Sequence, residues 1–167
     1  MLAGIFAEPG CKRREPVRLQ ETDEAAPVLL STVHTADPKS AIQLLKGFHA
    51  VEQNAWRWTM SKFAVTLKTP PGANQKGGTV VMKLVVPDSV LSTAKSTTLS
   101  AAIGPTPIGS ATYNKPGEQT FTADVPASLL GTEAVTVDFA LSHFLPPSSV
   151  DQRELGVIAS SISLDPK

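Results

Sequence analysis

Short runs in which apolar and polar residues alternate dominate the sequence from about residue 60 onward. In residues 62–68, Phe63, Val65 and Leu67 occupy every second position, and the Pro-Pro-Gly of residues 70–72 ends the run. A period of two predicts a β-strand with one buried face, bounded by a turn. The same pattern between turn residues predicts further strands over residues 79–86, 97–103, 119–125, 134–142 and 155–164.

Two short segments carry helical signals instead. Asp37 before Pro38 is a typical N-cap followed by proline in the first turn, and Ala41, Ile42, Leu44 and Leu45 give a short apolar face before Gly47. The Pro-Ala-Ser-Leu-Leu-Gly of residues 126–131 predicts one helical turn that crosses between sheets. No long helical pattern alternates with the strands, which argues against a parallel βαβ sheet.

These elements predict an all-β fold, an antiparallel two-sheet sandwich of jelly-roll-like type with a short helical turn or two. The polar outer faces are rich in Thr and Ser, so two sheets must pack face to face to bury the others. The sandwich is predicted to cover residues 37–167. Residues 1–36 lack the alternating pattern and are predicted to form an N-terminal tail or tether.

The predicted tail opens with an apolar run, residues 1–7, ahead of Cys11 and the basic residues 12–14. One interpretation is the remnant of an export signal in which Cys11 carries a lipid anchor, which predicts a periplasmic or envelope protein. The run is short, lacks a preceding basic region and departs from a lipobox before the cysteine. The sequence favours the other interpretation, a frayed terminus or a misassigned start, which leaves a cytoplasmic location open.

Composition removes several functional classes. The 15 basic and 15 acidic residues balance, so the basic patch expected of a nucleic-acid-binding domain is absent. No run approaches the roughly twenty apolar residues of a membrane span. One cysteine cannot form an internal disulfide or a cysteine-rich metal site.

Signatures of catalysis are also missing. There is no Gly-x-Ser-x-Gly elbow or phosphate-binding glycine loop, and His34, His49 and His143 are too isolated to predict a metal site. We therefore expect no catalytic residues, no metal, no cofactor and no enzyme activity.

The segment 47–59 holds both tryptophans of the chain, Trp56 and Trp58. Residues at i and i+2 of a strand share a face. They either pack into the core, which the usual burial of large aromatics favours, or form a ledge on which a sugar ring could stack. Neighbouring polar residues could then bond sugar hydroxyls: Glu52, Gln53, Asn54 and Arg57.

A second cluster, residues 146–157, is a proline-stiffened loop that carries Asp151, Arg153 and Glu154 into the final predicted strand. Paired carboxylates could serve as acid and base in glycoside cleavage. Adjacent charges of both signs more often neutralise one another in ion pairs, and that interpretation is favoured here.

Together the two clusters resemble a bacterial β-sandwich module. The residues concerned are Gly47-Phe48, Glu52 and Trp56-Arg57-Trp58 in the first cluster, and the Asp151-x-Arg153-x-Leu155-Gly156 run with residues 161–164 in the second. The module is similar to accessory domains of glycosyltransferases and sugar-processing enzymes, and to stand-alone secreted or lipoprotein-like proteins. Over residues 43–165 the resemblance implies a jelly-roll-like sandwich without established catalytic residues. It also implies that Arg57, Asp151 and Arg153 lock the first strand to the last.

The sequence therefore predicts a non-catalytic binding module, with carbohydrate as the expected ligand, at the cell envelope. Two alternatives stay open: a structural or protein-interaction domain of the envelope, and a polysaccharide hydrolase using Glu52, Asp151 or Glu154. A further expectation joins the clusters through an ion pair from Arg57 to Asp151 or Glu154.

Overall fold

A computed structural model describes residue 4 and residues 26–167 of the chain, and in that part nine strands form one antiparallel hydrogen-bonded sheet. The prediction of an all-β, jelly-roll-like fold is confirmed. The strands are β1 (Thr32–His34), β2 (Leu44–Glu52), β3 (Trp56–Lys68), β4 (Gly78–Val86), β5 (Thr97–Ile103), β6 (Thr106–Tyr113), β7 (Gly117–Val125), β8 (Ala134–Leu141) and β9 (Ile158–Pro166).

The sheet folds into two layers because β3 changes partners along its length. Its order is β6-β5-β8-β3-β9-β4-β7, with β1 beside β9 and β2 beside β3. Residues 62–68 of β3 pair with β8, whereas Arg57 and Trp58 pair with β9. We call the first layer, β2, the C-terminal part of β3, β8, β5 and β6, layer A. Layer B consists of β1, the start of β3, β9, β4 and β7.

The hydrophobic core lies between the layers and is built around three phenylalanines. Phe63 of β3 stacks on Phe139 of β8 with 5.0 Å between ring centroids. Phe121, from β7 of layer B, meets the same Phe139 edge to face at 5.9 Å. All three are at most 2% exposed. The alternation along β7 and β8 thus places one apolar face of each layer inside, as an antiparallel sandwich requires.

The two ends of the strand order, β6 and β7, come close enough to almost close the sheet. The hydroxyl of Tyr113 in β6 donates to the carbonyl oxygen of Thr120 in β7 at 3.4 Å. A Cβ added to Gly109 would lie 3.0 Å from the Cβ of Ala123. The missing side chain at Gly109 therefore permits the close approach of the two strands.

Four short helices occupy connections between strands: 3₁₀ helices Pro38–Gln43 and Ala127–Leu129, and α-helices α1 (Ala73–Lys76) and α2 (Asp88–Ala94). Asp37 caps the first of them by accepting from the Lys39 amide at 2.9 Å. The predicted apolar face of this helix is wrong. Ile42 is 59% and Leu45 52% exposed, whereas Gln43 is 1% exposed, because the helix ends at Gln43 and the chain turns into β2.

The start of the sandwich lies earlier than the predicted boundary at residue 37. β1 falls inside the predicted tail, and Val33 pairs with Ile162 of β9 and is fully buried. Thr35, also fully buried, donates its hydroxyl to the carbonyl oxygen of Ala159 at 2.7 Å. The boundary is corrected because these residues complete layer B. Cys11, the candidate site of a lipid anchor, lies outside the described residues.

Candidate ligand-binding face

A tight hairpin brings Glu52 and Trp56 face to face at the junction of β2 and β3. The turn residues Gln53 and Asn54 have φ angles of 52° and 54°, in the left-handed region that asparagine tolerates well. The Ala55 amide donates to the carbonyl oxygen of Glu52 at 3.1 Å and closes the turn. Glu52 is then directly opposite Trp56. The candidate ligand residue Asn54 is exposed at the tip of this turn.

Both tryptophans lie on the outward face of β3 and are half-buried. The inward positions of the strand are taken by Thr59 and Phe63, both fully buried. Trp56 and Trp58 meet edge to face, with 6.4 Å between ring centroids and 79° between ring planes. The expectation that at least one fills the core is therefore wrong, since alternation sends both rings outward. They form an aromatic ledge on the outer surface of layer B, which we call the Trp ledge.

Strand register extends the Trp ledge across layer B. Trp58 is opposite Ile158 of β9, and Ile158 is opposite Val85 of β4. Directly opposed residues of antiparallel strands share a face. We call Trp58, Ile158 and Val85 the apolar row. Glu118 of β7 follows Val85 at its far end.

A second row of outward residues runs parallel to the first and is polar. His34 of β1 is opposite Ser161, Ser161 is opposite Lys83, and Lys83 is opposite Thr120. We call these four residues the polar row. The two rows alternate with inward residues of the same strands, such as Leu84, which is 2% exposed. The outer surface of layer B thus presents hydroxyl, amine and imidazole groups beside an apolar strip.

An open groove of about 540 Å³ lies where the two rows meet β7. Its lining includes Lys83, Val85, Glu118, Thr120 and Ser160. The pairing of β9 with β4 shifts register between Lys83 and Leu84, because β9 has one extra residue there, a β-bulge. Ser160 sits in this irregularity and donates its hydroxyl to the carbonyl oxygen of Lys83 at 3.2 Å. The Trp ledge, the two rows and the groove together form what we call the binding face.

The side chain of Arg57 points away from the binding face, toward the main chain at Thr35 and His49. Its Nε donates to the carbonyl oxygen of Thr35 at 2.7 Å, and its Nη1 donates to the carbonyl oxygen of His49 at 2.8 Å. The predicted ion pair with Asp151 or Glu154 is wrong. Because Arg57 alternates with the two tryptophans, its side chain lies on the opposite face of β3 and holds β1 and β2 together.

Arg153 instead makes the ion pairs of the second cluster. Its Nη1 lies 2.7 Å from Oε1 of Glu52 and its Nη2 lies 2.9 Å from Oδ2 of Asp151. Hydrogen bonds from the Arg153 side chain and amide hold the pKa of Asp151 below its usual value. The contact with Glu52 ties the 146–154 loop to the end of β2, so the two sequence clusters do meet, through Arg153 rather than Arg57.

Glu154 accepts a hydrogen bond from a main-chain amide. Its Oε1 lies 2.6 Å from the amide nitrogen of Ser61, and this bond lowers the pKa of the Glu154 carboxyl. The Glu154 carbonyl oxygen contacts Nε2 of His49 at 2.7 Å. Asp151 and Glu154 are therefore both stabilised as carboxylates, and a general acid needs the opposite, a raised pKa.

Residues 26–167 contain no group of three or more His, Cys, Asp or Glu side chains placed to hold a metal ion. Among the helices of that region, none is long and apolar enough to cross a membrane.

Comparison with known proteins yields structural likeness only. No family model matches the chain. No curated protein matches it either, so the resemblance to glycosyltransferase accessory domains stays a prediction. TmCBM27, a carbohydrate-binding module described for specific mannan recognition, superimposes with a TM-score of 0.47 and 10% identity over 84% of this chain and 98% of its own. The secreted serine protease VesC from Vibrio cholerae gives a TM-score of 0.40 and 19% identity over 78% of this chain and 28% of its own. Both scores are below 0.5, so function has to be argued from the residues of this chain.

Sequence reasoning missed the half of the binding face that lies on β4, β7 and β9. Lys83, Val85 and Thr120 each stand at a polar or outward position of a correctly predicted strand. Their alternation shows that they face outward, but only the strand order shows that they lie beside the tryptophans. That order comes from pairings between residues as distant as Trp58 and Ile158.

Proposed function

We propose that this chain is a non-catalytic glycan-binding module and that the binding face holds the glycan. The observation that carries the proposal is the position of Trp56 and Trp58, half-buried on the outward face of β3, with an open polar groove two strands away on the same side of layer B. A sugar ring offers an apolar face that stacks on an aromatic ring and hydroxyl groups that need hydrogen-bonding partners. The Trp ledge supplies the first requirement and the groove supplies the second.

The geometry of the Trp ledge leaves ring surface for a ligand. An edge-to-face contact uses one face of one ring and only the edge of the other. From Trp58 the apolar row crosses two strand spacings to Val85, about 10 Å at the usual distance between strands. A glycan that stacks on Trp58 therefore reaches the groove by running across the strands.

Intrinsic fluorescence tests this proposal directly, because the two tryptophans of the ledge are the only two in the chain. We expect soluble polysaccharides from a panel of glucans, xylans, mannans and uronate polymers to shift or quench the emission. In isothermal titration, Trp58→Ala should weaken binding of the active polysaccharide at least about tenfold, the effect of about 1.4 kcal/mol. Leu45→Ala, at an exposed apolar position of β2, is the matched control. Retained binding in a Trp56→Ala/Trp58→Ala variant, or no binding across the panel, would refute the proposal.

The hydrolase alternative receives little support from the carboxylates. Glu52 and Asp151 share one guanidinium, that of Arg153, and Glu154 is committed to the Ser61 amide. Their hydrogen bonds stabilise the ionised forms of Asp151 and Glu154. Neither carboxyl has the environment that keeps a general acid protonated at neutral pH.

One observation favours a protein-contact role as a second candidate. Apolar side chains are exposed around the 3₁₀ helix that precedes β2, with Val28 71%, Ile42 59% and Leu45 52% exposed. Exposed apolar groups of this kind mark contact surfaces in many proteins. Cross-linking in intact cells, compared between the wild type and Ile42→Ser/Leu45→Ser, would test it, and an unchanged cross-linking pattern would count against it.

A location at the envelope or in the periplasm remains part of the proposal, because glycan polymers are found there. Cell fractionation tests it. If Cys11 carries a lipid anchor, the protein should fractionate with membranes and Cys11→Ser should release it. Recovery of the intact N-terminus in the cytoplasm would refute both statements.

A further inference from the structure

We propose that the glycan bound by this face is acidic, and that a uronate carboxylate of the polymer binds at Lys83 while a neighbouring ring stacks on Trp58. This inference rests on the proposed function and names its ligand class. It arises from the charge and hydroxyl groups that the polar row brings together.

Lys83 is the group that an anion would meet. It lies on β4, in the middle of layer B, is exposed, and lines the groove. In residues 26–167 the side-chain ion pairs of lysine and arginine involve Lys46, Lys167 and Arg153, and none involves Lys83. Its ammonium group therefore carries a positive charge that no carboxylate of the described chain neutralises by contact.

Hydroxyl groups surround Lys83 on both sides. Ser161 is opposite it on β9 and Thr120 is opposite it on β7. Ser160, next to Ser161, also lines the groove. An ammonium group flanked by hydroxyl donors is a suitable partner for a carboxylate, because charge-assisted hydrogen bonds are about twice as strong as neutral ones.

Glu118 decides where in the groove the carboxylate can lie. It stands two residues from Thr120 on β7, about 7 Å along the strand, and is opposite Val85 at the end of the apolar row. Its negative charge repels an anion near the apolar row, and its carboxylate accepts hydrogen bonds from sugar hydroxyls there. The carboxylate is thereby confined to the polar row. The other acids on this side of β7 and β9, Asp124 and Asp165, lie opposite Thr79, farther along the sheet, and Asp124 is paired with Lys167 at 3.1 Å.

The position of Lys83 relative to the Trp ledge matches neighbouring rings of one polymer. Lys83 is two residues from Val85 on β4, and Val85 is two strands from Trp58. Standard strand spacing and rise put the Cα atoms of Trp58 and Lys83 about 12 Å apart. Both side chains project from the same face of layer B, so a polymer of a few sugar rings that crosses the strands can contact both.

The test compares polygalacturonate and alginate with their carboxyl-reduced forms, which keep the sugar backbone and lose the charge. We expect titration of the full chain to show at least tenfold tighter binding of the acidic form, and this preference should shrink as NaCl is raised from about 50 to 500 mM. Lys83→Gln should abolish the preference, so that the variant binds the acidic and the reduced polymer equally. Glu118→Gln should strengthen binding of the acidic form two- to fivefold. Lys62→Gln, at an exposed lysine of β3 in layer A, is the matched control.

Each outcome separates this inference from the proposed function. Equal binding of acidic and reduced polymers, or a preference that survives Lys83→Gln, overturns the acidic ligand class. Binding that still depends on Trp58 in that case leaves the glycan-binding proposal standing. If neither uronate polymer binds but a neutral polysaccharide binds through Trp58, the acidic class is also overturned. Failure of every polysaccharide, acidic and neutral, refutes the proposed function itself.

Discussion

The guanidinium Nε of Arg57 donates to the carbonyl oxygen of Thr35 over 2.7 Å and thereby joins β3 to the end of β1. The same side chain reaches the carbonyl oxygen of His49 in β2. One arginine therefore closes one end of the sandwich through main-chain acceptors, which no substitution of their side chains can remove.

Removing this side chain should destabilise the fold without involving the loop carboxylates. We expect Arg57→Ala to cost about 2 kcal/mol in urea unfolding, because hydrogen bonds from charged groups contribute about 1.5 to 3 kcal/mol. In double-mutant cycles Arg57→Ala should be additive with Asp151→Ala within about 0.5 kcal/mol. Arg153→Ala and Glu52→Ala, in contrast, should be coupled. Coupling of Arg57 to Asp151 would contradict the geometry.

Gln43 is the buried polar group on which the N-terminal segment depends. Its amide accepts from the Leu30 amide and donates to the carbonyl oxygens of Leu30 and Thr66, all within 2.9 Å. We expect Gln43→Leu to lower the free energy of unfolding by about 2 to 4 kcal/mol, because three main-chain groups lose their side-chain partner. Ile42→Ala, at the exposed neighbouring position, serves as the control in chemical denaturation. A loss below about 0.5 kcal/mol would show that water replaces the amide.

Gly47 should tolerate no side chain. It has a φ of +76°, and an added Cβ would meet the Lys62 carbonyl oxygen and lie 2.7 Å from the Cα of Phe63. We expect Gly47→Ala to cost on the order of 2 to 4 kcal/mol in thermal or urea unfolding, since main-chain atoms cannot move away cheaply. Gly104→Ala distinguishes backbone strain from a steric clash, because Gly104 has a positive φ of +55° but no atom within 4 Å of an added Cβ. Its cost should stay near 1 kcal/mol. Equal effects at both positions would contradict a steric cause.

The alternation of apolar and polar residues predicted the strands that lie between clear turn signals, but it did not predict the irregular strands. β5 was predicted with both its bounds, because burial alternates from Thr97 to Ala101 and Gly104-Pro105 ends the run. β2 was missed, since Gly47 and three shifts of register against β3 break its period. β6 contains Pro107 and Gly109, which are typical of turns, and its strand character depends on pairing with β5. A local sequence pattern predicts on which face of its strand a residue lies, but it does not predict which other strand pairs with that strand.

Acid should weaken the contacts of the 146–154 loop. The pKa of Glu154 is lowered by its bond from the Ser61 amide, so the folded protein holds the carboxylate more readily than the unfolded chain does. This stabilisation is fully present above the ordinary glutamate pKa of roughly 4 and is lost as the pH falls through the lowered value. We expect the melting temperature to fall less steeply below pH 5 in Glu154→Gln than in the wild type. An identical pH profile for both proteins, with Glu133→Gln as control, would argue against this contribution.

The position of β1 gives a prediction for truncation. A chain beginning at residue 37 loses the buried Val33 and Thr35 and the pairing of β1 with β9. We expect it to be less stable than a chain beginning at residue 26 by more than about 3 kcal/mol, since one fully buried valine alone contributes about 1.5 kcal/mol or more. Guanidinium unfolding of the two chains measures the difference. Equal midpoints would show that β1 is a dispensable edge.

The location of β9 has a consequence for biosynthesis. Ribosomes make β9 after the other eight strands that the structure describes, yet it lies inside layer B, with β4 on one side and β1 and the start of β3 on the other. While β9 is still within the exit tunnel, β4 lacks one of its two neighbours and β1 lacks its sheet partner. Layer B therefore cannot assemble as the chain emerges, and the binding face forms only after translation has passed residue 166. Early termination within β9 should therefore be far more damaging than a missense change on the surface.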